Sequence, residues 1–247
     1  MSVTYNTHDS GGDASGNHKL YIYVYPDDTN DDSVVQDSIN PGLAKACKEA
    51  YNNSSVIDYW EVAFTDDHPN VWDSGDDKTD ALDKFGRNDG RDGKSDDSYL
   101  ANMNDVPVGT HLLVDNNRYG GVADGGDCSS QGDNERQGWT DWSPAVYGSK
   151  GDSGDSQQCI AIQEAFHNLI DKCVNGVSTM ISGNCGEHDL GHISYFGKVT
   201  PLLASYETDS DCTGSGDCQT SETHQEFTTD LTNCTIEALG DTANHYI

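Results

Sequence analysis

The chain has 247 residues, a length that fits one large domain or two small ones, and its 43 acidic and 13 basic residues give a formal net charge of -30. So acidic a surface argues against nucleic acid and anionic membranes as partners, because both are bound through Lys and Arg. Self-repulsion at this charge strains a compact fold in dilute buffer, whereas salt at about 1 M shortens the screening length to about 3 Å. The composition therefore predicts a protein adapted to high salt.

Cysteines and glycosylation triplets indicate an oxidising compartment. An even number of cysteines lies among loops rich in Gly, Asp and Ser, and no pair is spaced as in a zinc ribbon. We therefore predict up to four disulfide bonds, with open connectivity, in a secreted protein. The cysteines are Cys47, Cys128, Cys159, Cys173, Cys185, Cys212, Cys218 and Cys234. Asn52, Asn53 and Asn233 begin Asn-x-Ser/Thr triplets that suit a glycoprotein.

In the first half of the chain, two strands flank a helix. Residues 19–25 form a β-branched and aromatic run that predicts a strand ending at Pro26. Asn40 followed by Pro41 predicts a capped helix over 41–51, and residues 56–64 predict the second strand.

Residues 65–98 are rich in Asp, Gly, Ser and Asn, and they predict a loop. Its aspartates are either calcium ligands or ordinary solvated side chains, since their spacing matches no known calcium loop. They are Asp73, Asp76, Asp77, Asp89, Asp92, Asp96 and Asp97.

In the second half, residues 109–115 predict a third strand, 120–126 a Gly-rich connection and 143–147 a short strand. Apolar residues spaced by three and four then predict the longest helix over 157–173. A final short helix is expected over 234–239.

We therefore predict a single α/β domain over residues 1–247, with a mixed, partly parallel twisted sheet, a central helix and disulfide-stapled loops. No apolar run approaches the roughly 20 residues of a membrane span. Cys173 and Cys185 bracket the turn after the long helix, which their pairing would staple. We expect the six histidines outside the motifs at the surface, namely His8, His18, His68, His111, His224 and His245.

The long helix reads Gln163-Glu-Ala-Phe-His167, one substitution away from His-Glu-x-x-His. In that motif two histidines four residues apart bind zinc from one helical face, and the Glu polarises the metal-bound water. Glu164 and His167 are present here. Gln163 occupies the first ligand position, and an amide oxygen is a weaker zinc ligand than an imidazole.

The order of elements, with a sheet followed by this Glu/His helix and then Thr200-Pro-Leu-Leu-Ala-Ser-Tyr206, resembles the metzincin clan of zinc peptidases. The resemblance covers about 19–206 and implies a metzincin-like core, with 207–247 as a cysteine-containing extension. It implies that 199–206 is the turn beneath the metal, with Leu202 or Leu203 in place of the usual Met. Residues 120–123 are similar to the segment that trails the substrate-binding edge strand.

The resemblance also implies roles for individual residues. Zinc would be held by His167 with His188 or His192 and, more weakly, Gln163, while Glu164 would be the base and Tyr206 an oxyanion-stabilising group. The clan's extended motif is absent, because Ile170 and Cys173 stand where Gly and a third His are expected.

Three functions follow from these motifs. The first is a secreted zinc peptidase that hydrolyses extracellular protein. The second is an inactive relative serving as a surface, adhesion or filament-forming protein that self-associates, which the missing first histidine favours. In the third, Gln163, Glu164 and His167 are only the polar stripe of an amphipathic helix.

Overall fold

The computed structural model describes residues 2–28, 31–86, 98–115, 121–123, 142–148, 154–181, 186–192, 198–203 and 226–246. The strands are β1 (Tyr5–Gly12), β2 (Lys19–Pro26), β3 (Tyr59–Thr65), β4 (Gly109–Asp115), β5 (Gly121–Ala123), β6 (Trp142–Gly148), β7 (Lys198–Val199) and β8 (Glu226–Phe227). The α-helices are α1 (Asp32–Val34), α2 (Asn40–Asn53), α3 (Lys78–Phe85), α4 (Gly154–Leu169), α5 (Asn175–Met180) and α6 (Asn233–Tyr246). A π-helical turn (Val35–Ile39) joins α1 to α2, and a 3-10 helix spans Gly186–Leu190.

Six strands form one sheet in the order β1-β3-β2-β4-β6-β5, and β7 pairs with β8 separately. The inner strands β3, β2, β4 and β6 are parallel, whereas β1 and β5 are antiparallel edge strands. The predicted α/β class and the mixed, partly parallel sheet are therefore confirmed.

Alternation along β2 separates two cores on opposite faces of the sheet. Leu20, Ile22 and Val24 are fully buried in the larger core, which also contains apolar residues of α2, α4 and α6. Tyr25 is buried in the smaller core with residues of α3. The strand reads as a nearly continuous apolar and aromatic run because helices cover both of its faces.

The predicted cap at Asn40 is wrong, because the chain is already helical before this residue. Val35 and Ile39 are buried upstream, and the Asn40 N–H bonds to the Val35 carbonyl in the π-helical turn. Pro41 has no backbone N–H to donate within the helix. The π-helical turn before it already interrupts the regular hydrogen-bond ladder, so the proline is tolerated at this position. The helix therefore begins earlier than its cap-like sequence suggests.

The predicted loop over 65–98 contains the helix α3. Its Asp77 accepts hydrogen bonds from the Thr79 and Asp80 N–H groups, and the Asp80 side chain accepts from the Asp77 N–H in return. Lys84 Nζ binds both Asp73 Oδ2, at 2.7 Å, and Asp76 Oδ2, at 2.6 Å. These loop aspartates thus have protein partners, while Asp89, Asp92, Asp96 and Asp97 lie outside the described residues.

The surface position expected for His111 is also wrong, because its side chain is 0% exposed. Its Nε2–H donates to the Pro107 carbonyl at 2.9 Å, so Nδ1 accepts from the Tyr25 hydroxyl at 2.7 Å. Burial lowers the pKa of His111 to about 4, and the ring is a neutral structural element of the smaller core.

The cysteines divide into two classes. Cys47 and Cys159 are buried free thiols, so the upper limit of four disulfide bonds falls to three. Cys173 and Cys234 are disulfide-bonded. Cys128, Cys185, Cys212 and Cys218 lie outside the described residues, and the Cys173–Cys185 pairing stays a prediction.

Among the residues that the structure describes, no helix is both long and apolar enough to cross a bilayer.

Candidate functional site

The helix α4 is the element that places the Glu/His motif. Ile162, Ala165 and Phe166 face the larger core, and the helix packs against β4, β5 and β6. Gln163, Glu164 and His167 line a cleft of about 260 Å³ at the edge of the sheet that β5 forms. The cleft is lined by Gly121, Val122, Ala123, Gln163, Glu164, His167, Lys172, Glu187 and His188.

Strand β5 borders the cleft and has a glycine at its first position. A Cβ at Gly121 would lie 2.2 Å from Glu164 Cγ, so a larger residue there would have to displace the Glu164 side chain. The Gly121 carbonyl accepts a hydrogen bond from Lys78 Nζ at 3.0 Å. The edge strand is thus held between Lys78 of α3 and Glu164 of α4.

The Glu164 carboxyl is buried, and only 3% of the residue is exposed. Desolvation raises its pKa to about 8, while the positive charge of Lys78 acts in the opposite direction. Gln163 Nε2 lies 3.4 Å from Glu164 Oε1, as a long hydrogen bond. Gln163 Oε1 is buried and has no hydrogen-bond partner among the described residues, which leaves its lone pairs for a ligand.

Two imidazoles meet at the cleft. The ring centroids of His167 and His188 are 4.9 Å apart and nearly perpendicular. Desolvation, together with smaller electrostatic effects of His188 and Lys172, lowers the pKa of His167 to about 3. His167 is therefore neutral at neutral pH and has a ring nitrogen lone pair to offer.

His188 is oriented by the turn that follows β7. Its Nδ1–H donates to the Leu202 carbonyl at 2.9 Å, so in the neutral ring Nε2 carries the lone pair. Histidines that bind metals commonly donate their other ring N–H to such a carbonyl. Gly191 permits this arrangement, because a Cβ there would lie 2.1 Å from Leu203 N.

The remaining predicted site residues are not brought to the cleft by any described contact. The His192 backbone N–H donates a hydrogen bond to Thr200 Oγ1 at 2.8 Å. The His192 side chain is not among those that line the cleft. Tyr206 lies outside the described residues. The described residues of the site therefore supply two imidazoles, one buried amide oxygen and one buried carboxyl.

Neither protein-family models nor curated proteins nor solved structures give a match to this chain. The functional argument therefore depends on the geometry of the cleft.

Three residues at or beside the cleft are not part of the Glu/His motif and were not predicted as site residues. Glu187 and Lys172 line the cleft, and Lys78 contacts its edge strand. Glu187 directly precedes His188, and its position next to a predicted ligand was the only hint in the sequence. Lys78 and Lys172 come from segments without a motif, so only the folded chain reveals them.

A separate acidic cluster lies at the carboxyl ends of β2 and β4. Carboxylate oxygens of Asp27, Asp31 and Asp115 all lie within 4.8 Å of one another, and no other group of three His, Cys, Asp or Glu residues in the described ranges does so. Burial, reinforced by the charges of Asp115, Asp31 and Asp28, raises the pKa of Asp27 to about 7.

We expect this raised pKa to make the fold less stable as the pH rises. An unfolded Asp loses its proton near pH 4, whereas folded Asp27 keeps its proton until about pH 7, so the free energy of unfolding falls across that interval. Asp27→Asn should therefore be more stable than wild type at pH 7 by about 1–2 kcal/mol, a value reduced for the exposure of the group.

Urea unfolding between pH 4 and 7 measures this effect, with the exposed Asp37→Asn as the control. The gain of Asp27→Asn should shrink towards pH 4. A gain that does not depend on pH would contradict the assignment to Asp27 ionisation.

Proposed function

We propose that this protein is a secreted, halophilic, zinc-dependent metzincin-like peptidase that hydrolyses extracellular protein. The observation that carries the proposal is the meeting of Glu164, His167, His188 and the buried Gln163 amide in one cleft beside an edge strand. These groups come from two elements, α4 and the 3-10 helix, which residues 170–185 separate. A mere polar stripe on α4 would not require His188 or the cleft.

The types of donor at the cleft are those that zinc takes in proteins. His167 and His188 would hold it through imidazole nitrogens, with the unpartnered Gln163 Oε1 as a weaker third ligand and His192 as a further candidate. Bound zinc would supply a Lewis acid and lower the pKa of a coordinated water. The hydrogen bond from His188 to the Leu202 carbonyl supports the proposal that 199–206 is the turn beneath the metal.

The protein's own groups would then handle the proton and the substrate. Glu164, in its ionised form above its pKa of about 8, is the carboxyl at the cleft that can accept a proton from the attacking water and return it to the leaving amine. An extended peptide would lie along β5, whose outer edge has no strand partner in the described sheet. Lys78 would keep that strand in place through the Gly121 carbonyl.

A second candidate function is favoured by one observation. The cleft brings together two imidazoles rather than three, because Gln163 replaces the first histidine of the motif. An inactive relative that serves as a surface, adhesion or filament protein would keep this fold without binding zinc. It would self-associate, which light scattering can detect.

Composition supports a working place outside the cell in concentrated salt. The net charge of -30 is tolerated most easily where salt screens it. Disulfide-bonded Cys173 and Cys234 suit an oxidising compartment. Asn52, Asn53 and Asn233 are exposed, as glycosylated residues must be, and calcium remains a proposed second ion.

The metal content of protein purified in molar salt tests the proposal. We expect about one zinc per chain by elemental mass spectrometry, and loss of the metal in His167→Ala and in His188→Ala. His245→Ala, at an exposed position of α6, should retain the zinc. Wild-type protein that binds no zinc, or zinc that survives both cleft variants, would contradict the proposal and favour the structural role.

A further inference from the structure

Two lysines lie at or beside the cleft. Lys172 follows α4 and lines the cleft, while Lys78 contacts its edge strand. Neither forms an ion pair among the described residues, although acidic residues outnumber basic ones by 43 to 13 in the chain.

Three of the other described lysines, namely Lys45, Lys84 and Lys198, lie beside carboxylates, whereas Lys19 and Lys48 form no ion pair among the described residues. Lys45 Nζ lies 2.6 Å from Asp230 Oδ1, and Lys84 is held between two aspartates. Lys198 lies 3.6 Å from Glu226. Lys172 therefore brings to the cleft a positive charge that no described ion pair neutralises, although the carboxyl groups of Glu164 and Glu187 line the same cleft.

The two lysines differ in whether their ammonium groups already donate a described hydrogen bond. Lys78 Nζ already donates to the Gly121 carbonyl at 3.0 Å, so its position is fixed behind the strand. Lys172 is partly exposed on the wall of the cleft, beside the imidazole of His167. It is therefore the ammonium that can reach a bound molecule.

We propose that Lys172 selects peptides carrying an Asp or Glu side chain close to the bond that is cut. This inference rests on the proposed peptidase function and names its substrate class. Glu187 lines the same cleft and would repel a carboxylate at its own end. The acidic preference is therefore expected at one substrate position, on the Lys172 side, rather than along the whole peptide.

The effect should be moderate and should depend on salt. A partly exposed charge pair in contact contributes little in water, and screening at about 1 M salt acts beyond about 3 Å. We expect Glu over Gln at the sensitive position to raise kcat/KM by about three- to tenfold, with the larger value at the lowest salt that keeps the fold.

The test uses fluorogenic peptides that differ only by Glu, Gln or Lys at each position around the cleaved bond. The full-length protein and its Lys172→Gln, Lys172→Glu and Lys48→Gln variants are compared, since Lys48 is exposed on α2 and does not line the cleft. The preference for Glu should disappear in Lys172→Gln, reverse towards Lys in Lys172→Glu and persist in Lys48→Gln. An unchanged preference in Lys172→Gln would overturn the inference.

A binding assay separates this inference from the peptidase itself. Fluorescence anisotropy with the Glu164→Gln protein reports the affinity for labelled Glu and Gln peptides without requiring cleavage. If the wild-type protein cleaves no peptide but the preference for the Glu peptide depends on Lys172, only the proposed reaction is contradicted. If the preference for the Glu peptide over the Gln peptide is the same in Glu164→Gln proteins with and without Lys172, the proposed charge selection is contradicted, whatever the activity.

Discussion

Glu164→Gln is expected to lower kcat/KM for casein-derived peptides in molar salt by at least about 100-fold, the scale of a lost general base. Glutamine has nearly the same shape as glutamate and can keep the 3.4 Å contact with Gln163, but its amide cannot accept the proton of water. The loss should fall on kcat, because the substitution leaves the shape of the cleft beside β5 in place.

Two controls make this experiment specific. Glu237→Gln changes an exposed carboxylate of α6 that does not line the cleft, and it should retain full activity. Equal zinc content in wild type and Glu164→Gln would show that the metal site is intact. Activity that survives in Glu164→Gln would remove Glu164 from the reaction and with it the proposed mechanism.

Gln163→His is expected to tighten zinc binding by at least about tenfold, because it replaces the weakest ligand of the proposed set by an imidazole. Gln163 is 1% exposed, and its side-chain oxygen has no hydrogen-bond partner among the described residues. The substitution therefore removes no described contact of that oxygen, while it completes the His-Glu-x-x-His spacing with Glu164 and His167.

Competition with a chelator of known affinity measures the change. Gln36→His, at an exposed position of the π-helical turn, adds a histidine away from the cleft and should leave the affinity unchanged. If Gln163→His binds zinc no more tightly than wild type, the Gln163 side chain does not point to the metal and the ligand set must be redrawn.

Sequence patterns predict the inner strands and α4 well because burial dictates both. β2 is an almost continuous apolar and aromatic run, β4 is buried at every position around the run Leu112–Val114, and α4 shows apolar residues at spacings of three and four. β1 lacks this signal, because its side chains are mostly exposed and polar, and it was not predicted. α3 is short and lies among aspartates, where the capping box of Asp77 was the only cue.

The sequence predicts only those residues of the candidate site that lie together on the helix α4. Glu164 and His167 are neighbours on α4, so their spacing alone indicates a shared face. The contact between His167 and His188 depends on the fold of the chain after α4, which no local pattern encodes. Lys172 and Glu187 reach the cleft in the same way, and a sequence motif could not have named them.

The edge strand β1 has a consequence for solubility. In concentrated salt the charge of -30 no longer keeps two molecules apart, so exposed sheet edges become the places where chains could aggregate. β1 carries an irregularity between Thr7 and Asp9 and mostly exposed polar side chains, and the opposite edge, β5, has only three residues. Neither edge offers a long, flat template for another strand, so the fold itself guards against sheet-to-sheet aggregation where electrostatic repulsion is weak.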